Sequence, residues 1–208
     1  MVQARRPPGE GLIAPKHRRR GPAVRRRRAP WLAVGLCATA LAAGLSAQED
    51  LPGKLAPYYP TPQTIVKQML LLGGLKAGEK MYDLGSGDGR IVIMAAQQFH
   101  AEAVGVEIDP DLYRQSVARI ARLGLAKTAR IIHGDLLAQN YSSADLVTVY
   151  LLPDPINGKV QPLLDRQLKK GARVVAHDFE FRAWIPEKVE NIADDGEGRS
   201  HTLYLYRK

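Results

Sequence analysis

The sequence has a single cysteine, Cys37, among 208 residues, and aromatic residues make up 6% of it. One cysteine excludes an intrachain disulfide framework and any zinc site built from a cysteine cluster. At 45% hydrophobic residues the chain has enough material for one core, which excludes wholesale disorder. We predict no metal site, because the five histidines are scattered along the chain: His17, His100, His133, His177 and His201.

Excess positive charge is confined to one end of the chain. Residues 1–30 hold ten of the 30 Lys and Arg residues and one acid, Glu10, although the whole chain carries a formal net charge of +9. From Trp31 onward, 20 basic and 20 acidic residues make the chain formally neutral. A general nucleic-acid binder spreads basic charge over its folded surface. We therefore expect no nucleic-acid partner, and we predict that residues 1–30 are a disordered Arg-rich tail.

An uncharged stretch of 17 residues, 31–47, follows the basic tail. A basic region, a short apolar region and a small-residue exit at Ser46-Ala47 are typical of a secretory signal peptide. The stretch is also at the lower length limit for a membrane span, so a retained anchor stays open, as does an organelle transit peptide. We expect a membrane-associated or exported protein. The pattern does not determine on which side of the membrane the protein lies.

The rest of the chain is predicted to form an arm followed by one α/β domain. Prolines crowd residues 48–62, which predicts a linker or extended arm, and we expect Thr61 or Thr64 to cap a helix that runs to about Leu72. Apolar strands are predicted over 80–84, 103–107, 129–133, 144–151 and 172–176, and helices over 90–99, 110–123 and 160–168. This alternation predicts a parallel sheet with helices on both faces, closed by an antiparallel hairpin of 188–192 and 203–206, within a domain 63–208.

A glycine-rich turn, Asp83-Leu-Gly-Ser-Gly-Asp-Gly89, lies between the first strand and a helix. In a doubly wound sheet this turn borders the crevice where ligands bind. Its spacing is G-x-G-x-G, and Arg90 stands where a dinucleotide fold needs a small residue, which disfavours a pyrophosphate ligand. The Asp83 carboxylate would repel phosphate but suits a cationic group, such as the amino group of an amino-acid moiety.

Two further acids end the next two strands. Glu107 comes about 20 residues after the turn, where an acid usually accepts both ribose hydroxyls. Asp135 follows the third strand and suits an adenine amino group. Together these features indicate a nucleoside that carries an amino acid and no phosphate, which describes S-adenosylmethionine. Simpler interpretations stay open: a tight turn for the glycines, a turn former for Asp135 and a helix cap for Asp109.

These motifs resemble those of the class I, seven-stranded S-adenosylmethionine-dependent methyltransferases over residues 58–208. More narrowly, segments 59–62, 83–93, 106–110, 150–153 and 176–179 resemble a small branch of membrane-associated protein-lysine methyltransferases. Known members modify the c-subunit of ATP synthase or the adenine nucleotide translocator, and the branch includes bacterial relatives. The resemblance implies a Rossmann-like, doubly wound, seven-stranded sheet with S-adenosylmethionine as cofactor. It also implies a protein acceptor and an extended segment that helps to enclose the cofactor.

Site residues follow from the motifs and the resemblance together. The predicted cofactor-binding residues are Tyr59, Thr61, Asp83, Gly85, Ser86, Gly87, Gly89, Glu107, Ile108, Asp135, Leu136 and Tyr150. By resemblance to the class, the segment after the fourth strand binds the methyl acceptor, so Leu151, Pro153 and Asp178 are predicted acceptor contacts. The predicted catalytic residues are Tyr150 and Asp154. Plain core packing for Tyr150 and a structural hydrogen-bond role for Asp178 stay open.

The expected function is methylation of a protein lysine at or near a membrane. One rival is a small-molecule methyltransferase or aminopropyl transferase on the same sheet, which would turn over free amines. Another is a non-catalytic module that binds the cofactor and transfers nothing. A third is an interaction protein without a cofactor, whose ligand stabilisation would be indifferent to Asp83→Ala and Glu107→Ala.

Overall fold

The computed structural model describes residues 51–208, so the predicted tail 1–30 and the uncharged stretch 31–47 lie outside the described residues. Within that range the chain forms a seven-stranded sheet in the order β3-β2-β1-β4-β5-β7-β6. The strands are β1 Lys80–Leu84, β2 Glu102–Glu107, β3 Ala129–His133, β4 Leu146–Val149, β5 Arg173–His177, β6 Lys188–Ile192 and β7 His201–Arg207. Strands β1 to β5 pair in parallel, and β7 lies antiparallel between β5 and β6. The predicted fold class is confirmed.

Helices cover both faces of this sheet. On one face lie α1 Gln63–Leu72, α2 Arg90–Gln98 and α3 Pro110–Arg122. On the other lies a helical stretch made of α4 Pro153–Pro155, a π turn Ile156–Val160 and α5 Gln161–Gln167. Successive strand residues point to opposite faces, so Met81 packs in the first core and its neighbour Tyr82 in the second. Of the helices in residues 51–208, none has the length and apolar character needed to cross a membrane.

The predicted cap of α1 is wrong. Pro62 precedes the helix, which starts without a side-chain cap. Thr61 Oγ1 instead lies 3.4 Å from His177 Nδ1, and Thr64 Oγ1 donates to the Asp195 carbonyl at 2.7 Å. Both hydroxyls therefore bind residues more than 100 positions away in the chain. A local capping pattern cannot predict such tertiary partners.

Two predicted boundaries after the sheet centre are also wrong. The helical stretch begins at Pro153 rather than at 160, and a π turn precedes Pro162, which lacks the N–H that an α-helix would need. Strand β4 ends at Val149 rather than at 151. Tyr150 and Leu151 consequently lie just beyond the strand, at the edge where β1 and β2 also end.

Candidate functional site

A cavity of about 300 Å³ opens at the carboxyl ends of β1, β2 and β4. The predicted cofactor residues that line it are Tyr59, Thr61, Asp83, Gly85, Ser86, Gly87, Glu107, Ile108, Leu136 and Tyr150. Two others, Gly89 and Asp135, are not among its lining residues. Gly89 starts α2 with a φ of 75°, and Asp135 Oδ1 accepts the Leu137 N–H at 2.8 Å, which is the turn-forming role left open above.

The glycine turn is held against the end of β2. The N–H groups of Gly85 and Ser86 both donate to the Val106 carbonyl at 3.0 Å. Gly87 has a φ of 53°, and a Cβ built on it would lie 2.5 Å from Cε2 of Tyr58. Glycine is required here because the backbone turns left-handed and an aromatic ring packs directly onto it.

Glu107 is buried, and both of its carboxylate oxygens accept backbone hydrogen bonds. Oε2 accepts the Gly87 N–H at 2.7 Å, and Oε1 accepts the Asp109 N–H at 2.8 Å. Each oxygen has a second lone pair, so the group could still accept hydroxyl donors from a ligand in the cavity. Asp109 itself caps α3 by accepting the N–H groups of Asp111 and Leu112, which confirms the capping alternative.

Asp83 is the second buried acid of the cavity. Its Oδ1 accepts the Thr148 hydroxyl at 2.7 Å. Burial, and to a lesser extent the charges of Glu107 and Asp88, raises the pKa of Asp83 to about 7. Two acids in one concave site favour a positively charged ligand, because a cation relieves both their repulsion and the cost of burying the charge.

The proline-rich arm forms one wall of the cavity. Residues 53–61 line it, and the arm is attached to the domain at several points. Lys54 Nζ lies 3.4 Å from Asp109 Oδ2, and Arg90 Nη1 donates to the Thr61 carbonyl at 2.8 Å. Arg90 also binds Asp88 through two nitrogens, at 2.9 and 3.0 Å, so it acts as a clamp on the arm.

Sequence reasoning did not assign several wall residues: Leu55, Leu112, Leu152 and Phe179. For Tyr58 the sequence left two roles open, a lid over the site and ordinary packing, and the structure places this residue in the cavity wall.

Tyr150, Leu151, Leu152 and Phe179 form the other wall. The Tyr150 ring lies 4.0 Å from the His177 ring and 6.3 Å from the Phe179 ring. Burial, together with the charge of Asp178, raises the pKa of Tyr150 to about 12. The phenol therefore stays protonated near neutral pH, which argues against a role as a general base.

Three predicted acceptor-side residues, Pro153, Asp154 and Asp178, are not among the lining residues. Asp154 is exposed in the first turn of α4. Asp178 Oδ1 accepts the Thr202 N–H at 2.9 Å, which is the structural role left open above.

The structure brings His177 and His201 together beside Asp178, although 24 residues separate the histidines. Burial lowers the pKa of His177 to about 4, so its imidazole is neutral. Sequence reasoning treated the histidines as scattered, because the pairing of β5 with β7 is what makes them neighbours.

The residues present fit S-adenosylmethionine, which carries positive charge, a ribose and no phosphate. Two buried acids face the cavity, the glycine turn allows close approach, and Ser86 Oγ has no hydrogen-bond partner within residues 51–208. This fold and this site together define a class I S-adenosylmethionine-dependent methyltransferase.

Comparison with known proteins gives the family. The model of the ANTKMT methyltransferase domain matches residues 83–188, and the chain belongs to this family. A protein-lysine N-methyltransferase of Saccharolobus islandicus is 41% identical over 151 residues, covering 72% of this chain and 92% of that protein.

Two further relatives extend the comparison. The human lysine N-methyltransferase of the ATP synthase c-subunit is 32% identical over 72% of this chain, which spans 60% of that enzyme's length. A crystal structure described as an RNA methyltransferase from Salinibacter ruber, in complex with S-adenosyl-L-homocysteine, is 40% identical with a TM-score of 0.65. The match covers 72% of this chain and 93% of that one. The chain is therefore an S-adenosylmethionine-dependent methyltransferase.

Proposed function

We propose that the protein is a protein-lysine N-methyltransferase and that its acceptor is a protein at or near a membrane. The protein-lysine activity is supported by the names of the relatives from Saccharolobus islandicus and human. The membrane is supported by the uncharged stretch 31–47 of the sequence and by the ATP synthase component in the name of the human relative. We further propose that residues 31–47 direct the protein to that membrane.

The observation that carries the lysine proposal is the aromatic mouth of the cavity. Tyr59 and Leu152 are 52% and 44% exposed, and they line the cavity together with Tyr150 and Phe179, whose rings stack with centroids 6.3 Å apart. Aromatic faces attract alkylammonium groups, and apolar side chains pack along a methylene chain. A lysine side chain has both parts, so it suits this part of the cavity, which Asp83 and Glu107 also line.

S-adenosylmethionine, when bound, supplies an electrophilic methyl group on a sulfonium. For its binding we assign Asp83 to the amino group and Glu107 to the ribose hydroxyls, because both acids line the cavity. Asp135 does not line it and accepts the Leu137 N–H, so we assign it no contact with the adenine amino group. The chain's main contribution is to hold the acceptor amine in line with the methyl group.

The acceptor amine must be neutral before its nitrogen forms the new N–C bond and the C–S bond breaks. Tyr150, with a pKa of about 12, does not take the ammonium proton near neutral pH. We therefore assign proton loss to solvent at the open mouth, and Tyr150 orients the amine by a hydrogen bond.

The test is transfer of a labelled methyl group by the purified full chain to membrane proteins, soluble proteins, total RNA and free amines. Glu107→Ala should abolish transfer. Glu102→Ala, a matched change to an exposed acid at the other end of β2, should preserve it. The expected product is N-methylated lysine in a membrane protein, recovered after acid hydrolysis.

Other outcomes would contradict the proposal in distinguishable ways. Label that survives protease and is lost to ribonuclease would identify an RNA methyltransferase. Label on free amines would identify a small-molecule enzyme, and cofactor binding without any transfer would identify a non-catalytic module. Label on soluble proteins alone would contradict the proposed membrane acceptor but would agree with the proposed lysine methylation.

A further inference from the structure

Three potential metal-binding atoms converge between the ends of β5 and β7. His177 Nε2 lies 2.9 Å from His201 Nδ1, and Asp178 Oδ2 lies 3.0 Å from His201 Nδ1 and 3.4 Å from His177 Nε2. Both histidines are buried, and Asp178 is half-buried. The three atoms form a nearly equilateral triangle. Ligands at 2.0–2.1 Å around a tetrahedral zinc ion are separated by roughly 3.3 Å, so one ion could contact all three.

The opposite side of each of these groups is held by another residue. His201 Nε2 lies 3.3 Å from Asp195 Oδ2, His177 Nδ1 lies 3.4 Å from Thr61 Oγ1, and Asp178 Oδ1 accepts the Thr202 N–H. Asp195 is in turn held by the N–H groups of Glu197 and Arg199, at 2.7 and 3.2 Å. Histidine ligands of metals typically pair their second nitrogen with a carboxylate or another polar group, which fixes the ring orientation.

Hydrogen bonds alone leave this cluster with too few donors. A neutral imidazole has one N–H, and a carboxylate has none. His201 lies between two carboxylates, with Nδ1 3.0 Å from Asp178 Oδ2 and Nε2 3.3 Å from Asp195 Oδ2, and one N–H can serve only one of them. A cation in the triangle would bind His201 Nδ1, His177 Nε2 and Asp178 Oδ2 together and leave the His201 N–H for Asp195.

The backbone is arranged to present Asp178 at this point. Its φ is 60°, a left-handed conformation that favours glycine, and the Asp178 N–H donates to the Thr202 carbonyl at 2.7 Å. Aspartate tolerates this conformation better than most residues, and here it places the carboxylate beside both histidines.

We propose that His177, Asp178 and His201 form a binding site for one first-row divalent transition-metal ion, with Zn²⁺ the best match to two imidazoles and one carboxylate. The site lies under the Tyr150 wall of the cavity and joins β5, β7 and, through Thr61, the arm. The ion has a structural role: it stabilises these three segments relative to one another. It takes no part in methyl transfer, so the proposal stands or fails independently of the acceptor.

The test uses untagged full-length protein that is stripped with a chelator and then titrated with Zn²⁺. We expect one equivalent to bind. The melting temperature should rise by about 5–10 °C when free Zn²⁺ is 100 times its dissociation constant. Asp178→Asn keeps an oxygen for the Thr202 N–H but should weaken Zn²⁺ binding at least 100-fold. The matched control His100→Asn changes an exposed histidine that also has a positive φ, and it should bind Zn²⁺ like the native protein.

A native protein that binds no equivalent of Zn²⁺ and shows no thermal shift would overturn the proposal. Equal Zn²⁺ binding by Asp178→Asn and native protein would also overturn it, because the ion would lie elsewhere. If Asp178→Asn does not fold, Co²⁺ titration of the native protein decides: tetrahedral absorption bands are expected, and their absence refutes the site.

Discussion

The cofactor side of the cavity comes from short, continuous stretches of chain, whereas the acceptor side is assembled from distant ones. On the cofactor side, residues 83–90 and the end of β2 supply Asp83, the glycines and Glu107, and the contacts are mostly to backbone. On the acceptor side, Tyr150 and Phe179 follow different strands and their rings stack with centroids 6.3 Å apart, while Tyr59 comes from the arm. We therefore expect cofactor binding to be lost when single atoms are changed on the first side. We expect methyl transfer to depend on how the segments of the second side pack.

The largest effect is expected on the cofactor side, from Asp83→Asn. Removing the buried carboxylate should weaken S-adenosylmethionine binding by 100-fold or more, measured by calorimetry, because a cationic ligand loses its partner. In the native protein, affinity should also fall about tenfold per pH unit below 7, since the Asp83 proton must then be displaced. Glu102→Gln, an exposed acid on β2, is the matched control. Unchanged affinity between pH 5.5 and 8 would remove Asp83 from the binding site.

Asp83→Asn should weaken cofactor binding but should increase the stability of the ligand-free protein. The pKa of Asp83 in the folded protein, about 7, lies above its ordinary value of 3.8. The stabilising contribution of its protonated form is therefore complete below about pH 4 and is lost as the pH rises through 7. Asp83→Asn should raise the free energy of unfolding of the ligand-free protein by up to about 4 kcal/mol at pH 8, by roughly 1.5 kcal/mol at pH 5, and by little below about pH 4.

An intermediate effect is expected where the arm meets the glycine turn. Alanine at Gly87 would place a Cβ 2.5 Å from the Tyr58 ring and displace the arm, so cofactor affinity should fall about tenfold. Gly78→Ala carries the same positive-φ strain but meets nothing within 4 Å, so it should reduce stability by roughly 1 kcal/mol without changing affinity. In a Tyr58→Ala background the Gly87→Ala loss should nearly disappear. Additive losses would mean that strain, and not the arm, explains the effect.

The smallest effect is expected on the acceptor side, from Tyr150→Phe. The ring contacts with His177 and Phe179 remain, so cofactor affinity should change less than about threefold and the transfer rate should fall only a few-fold. The rate should still rise with pH as in the native protein, because a phenol with a pKa of about 12 does not titrate in the assay range. Loss of the pH dependence would instead make Tyr150 the base.

Local chemistry made several elements predictable to the residue. The prediction matches the structure for strands Lys80–Leu84 and Ala129–His133 and for the start of α3 at Pro110. The glycine or proline that marks each of these boundaries is adjacent in the sequence, so a local pattern is enough to locate it. The cap of α1 and the start of the helical stretch at Pro153 were wrong. At the first, the Thr64 hydroxyl donates to the Asp195 carbonyl instead of capping the helix. At the second, a π turn precedes Pro162 and lengthens the helical stretch.

The sequence by itself determined which stretches form strands and helices along the chain, the glycine turn, and the two acids at the ends of β1 and β2. Parallel strands joined by a helix end at the same sheet edge, so the strand pattern also predicts that these acids lie near each other. The resemblance predicted an arm that helps to enclose the cofactor, but tertiary structure alone decided which of its residues line the cavity and that Glu107 binds backbone N–H groups through both oxygens. It alone also brought His177 and His201 within 2.9 Å. Those contacts depend on strand pairing and side-chain packing between residues far apart in the chain, which no local pattern encodes.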